Sequence, residues 1–260
     1  MGHIRLGEMP RTGYWKDVIK TLALSDNPAQ VARITAKAAR KGLQAAGQDD
    51  GVSEVVYMLM KFVWSSAKTK DFRRELKDIG ISMPTKDASL LDLVLGFNEA
   101  LDRRLRLKGH RSDLAEMARM SVVETVADVC RHQTGGLFGA DIKQTREALK
   151  KNTAPERFAA LGQRFFGKFL YRFLDYHLSR ELPGHIGPGR QYETIRDCER
   201  FKASLARYAI ETSRIVREFT GYWPSATEFR EGISPHNVRT KFVPVAFKKL
   251  QSEIARRDAS

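Results

Sequence analysis

The chain has 260 residues, 45 of them Lys or Arg and 31 Asp or Glu, for a formal net charge of +14. With 42% hydrophobic and 29% charged residues it carries enough apolar side chains for a core, which excludes wholesale disorder. Its 19 Gly and 9 Pro exclude a collagen-like or low-complexity chain, and 2 Cys (Cys130 and Cys198) exclude a disulfide scaffold.

The start, Met1-Gly2-His3-Ile4-Arg5-Leu6, lacks the apolar stretch of a secretory signal, and Leu6 stands where a myristoylation site needs Ser or Thr. Apolar residues at spacings of three and four then predict helices along the chain. Arg11 to Leu24 places Trp15, Val18, Ile19 and Leu22 on one face. Asp26-Asn27-Pro28 reads as a stop and a new start, with Pro28 suited to a first helical position. Ala29 to Ala46 turns Val31, Ile34, Ala38 and Leu43 inward and Arg33, Lys37, Arg40 and Lys41 outward. Gly47 to Gly51 is a loop whose two acids favour the next helix start. Val52 to Ala67 is apolar on nearly every side, which places it in the middle of the core. Lys61 interrupts it, well short of the ~20 apolar residues a membrane span needs.

Asp71 to Ile79 is a short charged helix, and Ala88 to Leu107 follows the Met83-Pro84-Thr85 break. Ser112 caps a helix that runs to about His132. Gly135-Gly136-Leu137-Phe138-Gly139 then divides the chain into two helical halves, 1–134 and 140–260, unless both form one continuous domain. Residues 1–130 hold 21 basic and 17 acidic side chains, a net of +4, and residues 131–260 hold 24 and 14, a net of +10. The positive charge therefore belongs mainly to the second half. There, Thr153-Ala154-Pro155-Glu156 has capping-box spacing and opens a long helix to about Leu182. Pro183 to Gly189 forces a loop, and a second long helix runs from about Tyr192 to Phe219. The fold class is all-α, a multi-helix bundle.

No metal-binding or nucleotide-binding signature is present, so no metal, cofactor or catalytic residue is assigned. Glu124, Asp128 and His132 share a helix face at four-residue spacing, as do His177 and Glu181. The spacing suits a metal held between two helices and equally suits ordinary side-chain pairs. His185 sits in a glycine-flanked setting that suits acid–base chemistry, and its loop could present amides to an anion with Arg190 opening the next helix.

The two long helices carry basic stripes. Arg157, Arg164, Lys168 and Arg172 stack beside Phe158, Leu161, Phe165, Phe169 and Phe173, and Arg196, Arg200, Arg207, Arg214 and Arg217 line the second helix. Acidic residues on these helices are too few to neutralise them. Arginine's planar fork suits phosphate and carboxylate, and a clustered basic stripe is the footprint of nucleic-acid contact; a solvated face is the alternative. Further on, Ser225 to Glu231 reads as a short helix, Gly232 as a turn and Ser234-Pro235 as the start of a helix carrying Asn237, Arg239 and Lys241. This outlines a helix-turn-helix over 225–243, with Asn and Arg suited to base edges. Glu228 opposes close packing of its helices, and Pro244 cuts the second one short.

These readings converge on a non-enzymatic, basic binding or scaffolding subunit of a multi-protein complex in a reducing, bacterial-type cytosol, away from membranes. Its C-terminal half contacts nucleic acid or an acidic protein surface. The alternatives are a sequence-specific DNA-binding protein using 225–243, and a hydrolase or transferase using His185, or His177 with Glu181.

Overall fold

The computed structural model describes residues 13–25, 27–67, 71–83, 89–134, 142–190 and 192–259. Among the described residues the chain is all-α, with one isolated bridge between Ile186 and Tyr192 and no strand. The helices are α1 (Gly13–Leu24), α2 (Pro28–Ala46), α3 (Asp50–Ser65), α4 (Phe72–Asp78), α5 (Leu90–Leu107), α6 (Asp113–Thr134), α7 (Ile142–Lys151), α8 (Pro155–Leu178), α9 (Ile195–Thr212), α10 (Arg217–Arg230), α11 (Pro235–Asn237) and α12 (Val243–Asp258). The N-terminal segment 1–12 and the glycine boundary at 135–139 lie outside the described residues, as do the side chains of His132 and Glu228.

Helix starts follow local chemistry. The Asn27 side chain accepts from the Ala29 and Gln30 amides, with Pro28 in the first turn of α2, and Ser112 accepts from the Ala115 amide at 2.9 Å. The expected cap at Thr153 does not form. Its hydroxyl donates back to the Lys150 carbonyl at 2.8 Å, and α8 begins after Ala154 without a side-chain cap. Pro155 is the reason: its fixed φ suits the first helical position, which makes Ala154 the capping residue.

α3 runs through the interior, with 12 of its 16 residues buried, because apolar side chains cover almost its whole circumference. It packs on α5 and α6 and reaches α12. Gly51, read from sequence as loop, is inside its first turn. A Cβ there would lie 2.3 Å from the His110 carbonyl oxygen and 2.5 Å from the Ala115 Cβ, so only glycine allows this approach to the α5–α6 connection.

Two helical paths run further than the sequence reading placed them. α9 passes through a 3-10 turn, Ser213–Val216, directly into α10, which contains Pro224. Beyond Gly232, α11 continues through a π turn (Val238–Phe242) into α12, so the helical path runs unbroken from 235 to 258. Pro244 does not end it. The Val243 amide reaches back five residues to the Val238 carbonyl, and this wider turn places Pro244 in the first turn of α12, where a missing N–H costs least.

One hydrophobic cluster extends from Trp15 on α1 to Ile254 on α12. α6 packs on α8, and α2 packs on α9 and α12, so helices from both sides of the glycine segment build it. Phe247 of α12 meets Phe166 and Phe169 of α8 edge-on, with ring centroids 5.6 and 5.3 Å apart. Ile19, expected inward, is at the surface. Cys130 and Cys198 are free and buried, and burial pushes the Cys130 thiol up to about 12. No described helix is long and apolar enough to cross a membrane.

Candidate anion-binding site

The first basic stripe is divided by packing. Lys168 donates to Glu124 and, at 2.8 Å, to Asp128, while Arg172 donates to Glu124 at 2.8 Å. The neutralising carboxylates sit on α6, which packs along α8, not on the same helix. Glu124 and Asp128 are therefore engaged by cations. Arg157 and Arg164 remain exposed.

Within the segment 225–243, Asn237 does not face outward. Asn237 is 3% exposed; its Oδ1 accepts from the Ser234 amide at 2.9 Å, and its Nδ2 donates to the Gly232 carbonyl at 2.8 Å. The Asn237 amide in turn donates to the Ser234 hydroxyl at 3.2 Å, completing a reciprocal cap. This corrects the assignment of Asn237 as a base-contacting residue, since its amide group is consumed in starting the helix. Arg239 and Lys241 are exposed but paired, Arg239 with Asp50 at 2.7 Å and Lys241 with Glu231 at 3.1 Å.

Neither histidine site assembles as expected. His177 lies against Trp15 and Phe173 with ring centroids 4.6 and 5.4 Å away, and no ion pair joins it to Glu181. Burial, with Arg180 nearby, lowers its pKa to about 4, so it is neutral. The loop after His185 closes on itself: the Tyr192 amide donates to the His185 carbonyl at 3.0 Å, and Arg190 donates to the Gly184 carbonyl. Arg190 is thus held by its own loop, and the next helix is opened by a Thr194–Asp197 capping box.

The second stripe contributes to a real concavity. Arg207 opens onto a cleft of about 590 Å³ between α2, α9 and the end of α12, where it meets Arg33, Ser204, Tyr208, Arg256 and Arg257. Glu253, 8% exposed, accepts from Arg256 at 2.7 and 2.8 Å and from Arg257 at 2.8 Å. These two guanidiniums hold its carboxyl down at about 2. Arg257 also stands 3.7 Å from Glu211 and 5.9 Å from the centre of the Tyr208 ring. Arg33 and Arg207 have no carboxylate partner among the described residues. Arg33 and Arg207 thus line the cleft beside two arginines that Glu253 holds.

Of the remaining stripe residues, Arg196 is exposed, Arg200 stands 3.3 Å from Asp197, and Arg214 is exposed on the 3-10 turn. Arg217 is 3.5 Å from the Gln163 amide oxygen. Sequence reasoning missed Arg256 and Arg257 and read Arg33 only as an outward residue. Helical period places Arg33 on a polar face, yet nothing in the period brings residue 33 to residues 207 and 257.

No family model, curated protein or solved structure matches the chain. Function therefore rests on this geometry.

Proposed function

We propose that the chain is a non-enzymatic binding subunit that grips a nucleic acid by its phosphates, with the cleft between α2, α9 and α12 as the principal contact. The observation that carries this reading is the pair of unpartnered arginines, Arg33 and Arg207, beside two arginines fixed by Glu253. Guanidiniums already oriented by a buried carboxylate lose little freedom on meeting a phosphate, and their planar fork matches its oxygens. A polymer is favoured over a single anion because Arg196, Arg200, Arg207, Arg214 and Arg217 follow one helical rod. From Arg196 to Arg217 that rod extends roughly 30 Å at 1.5 Å per residue. Contact would be independent of sequence, since phosphates carry no base information. Membership of a larger cytoplasmic assembly belongs to the same proposal.

Fluorescence anisotropy with labelled duplex and single-stranded oligonucleotides tests it. The double variant Arg33→Gln/Arg207→Gln should bind at least about tenfold more weakly, with the slope of log affinity against log salt flattened by about 0.7–0.9 for each phosphate no longer held. Lys168→Gln/Arg172→Gln should leave that slope unchanged, because both are already paired with α6. Unchanged affinity and slope in the Arg33/Arg207 variant would refute the cleft as the contact. A parent chain that binds polyglutamate but neither nucleic acid would replace the proposal with an acidic protein partner.

A further inference from the structure

A groove of about 920 Å³ runs between α1 and α2 and adjoins the arginine cleft. Asn27 lines both, and the neighbouring residues Arg257 and Asp258 line the cleft and the groove respectively. On α2, Arg33 at the cleft and Lys37 in the groove are about one helical turn apart, roughly 5.4 Å of rise. Lys37 meets Asp258 at 2.8 Å, which ties the end of α12 across this boundary.

The groove differs from the cleft in its chemistry. Asp17 and Asp258 balance Lys20 and Lys37, so it holds no excess of cations to draw a phosphate. Its apolar walls are open to solvent: Tyr14 is 57% exposed at one end of α1 and Leu24 is 71% exposed at the other. From Tyr14 to Leu24 the helix rises roughly 15 Å at 1.5 Å per residue. Along the facing side, the Asn27 Oδ1 accepts from the Ala29 and Gln30 amides, and the Gln30 Oε1 accepts from the Ser25 hydroxyl at 2.9 Å. Both residues are exposed, and among the described residues the Asn27 Nδ2 and the Gln30 Nε2 have no protein acceptor.

We infer that this groove receives unpaired bases of a single-stranded nucleic acid, with Tyr14 as a stacking platform and the adjoining phosphate at Arg33 and Arg207. The inference rests on the reading of the arginine cleft as a phosphate contact. A nucleotide joins a flat, uncharged ring to an anion, and here a charge-balanced groove with an open aromatic wall joins a cationic cleft. Every base has a face that stacks on an aromatic side chain, so such a platform works whatever the sequence. The free amide donors of Asn27 and Gln30 suit the carbonyl oxygens and ring nitrogens on base edges. A duplex cannot use the platform, because its base faces are closed within the stack.

Fluorescence anisotropy of the full chain with three labelled probes of equal length tests it: oligothymidylate, the same sugar–phosphate strand without bases, and a duplex. Oligothymidylate should bind at least about fivefold more tightly than the abasic strand. Tyr14→Ala should remove most of that advantage while the abasic strand and the duplex bind as they do to the parent. Its salt slope should stay unchanged, because no phosphate contact is lost. Tyr14→Phe, which keeps the ring, should bind oligothymidylate as the parent does. Arg33→Gln/Arg207→Gln should weaken all three probes. Equal binding of oligothymidylate and the abasic strand by the parent would overturn the inference, as would equal binding of oligothymidylate by the parent and Tyr14→Ala. In either case a loss of affinity in the Arg33/Arg207 variant would leave the phosphate contact standing. Failure of every probe to bind the parent would overturn both.

Discussion

Replacing Asn237 with Ala removes two hydrogen bonds from a side chain that is almost wholly buried: the one accepted from the Ser234 amide at 2.9 Å and the one donated to the Gly232 carbonyl at 2.8 Å. At about 0.5–1.5 kcal/mol net for each, the loss is about 1–3 kcal/mol. Ser234→Ala removes the other half of the same cap and should cost about 0.5–2 kcal/mol. Arg239→Ala breaks an ion pair with Asp50, but the arginine side chain is 61% exposed, so the change should stay within about 1 kcal/mol. The expected pattern is two destabilised variants, at 234 and 237, and a tolerant one at 239. Urea unfolding followed by circular dichroism at unchanged m-value measures it, with oligonucleotide anisotropy on the same samples. A base-reading helix would give the reverse, with Asn237→Ala and Arg239→Ala weakening binding to a preferred site at unchanged stability. Asn237→Ala that unfolds within about 0.5 kcal/mol of the parent would refute the buried cap.

Gly51→Ala should lower the urea midpoint, because its Cβ would meet a backbone carbonyl oxygen at 2.3 Å, and overpacking of about 1–3 kcal/mol outweighs a helix-propensity gain of ~1 kcal/mol; a raised midpoint would refute the close approach of α3 to the α5–α6 connection. His177 titrates at about 4 in the folded chain against 6.5 ordinarily, so between these values the unfolded chain binds the proton first. Its contribution is complete above pH 6.5, falls as pH drops from 6.5 to 4, and changes no further below that. The parent should thus lose on the order of 1–3 kcal/mol more than His177→Phe across that window, and parallel stability curves would show the imidazole to be unperturbed.

Periodicity along the chain located most helices, and it placed α3 in the core because a helix apolar all round has no solvent face. The Ser112 cap was legible because its hydroxyl and the Ala115 amide lie three residues apart, and Pro28 marked the start of α2. The same local reasoning misplaced the start of α8, where Pro155 outweighed the Thr153 pattern, and stopped a helix at Pro244 that a π turn carries onward. Composition and spacing also determined where the positive charge lies: on the second half, and on Arg196, Arg200, Arg207, Arg214 and Arg217.

Which of those charges are available was decided by tertiary structure. Lys168 and Arg172 are neutralised from α6, Asn237 is turned into its own helix cap, and Arg207 gains Arg33, Arg256 and Arg257 from helices far away in the chain. Spacing within a helix determines which side chains share a face. Which face meets which depends on how the helices rotate and cross to bury their apolar stripes, and that follows from the packing of the whole core.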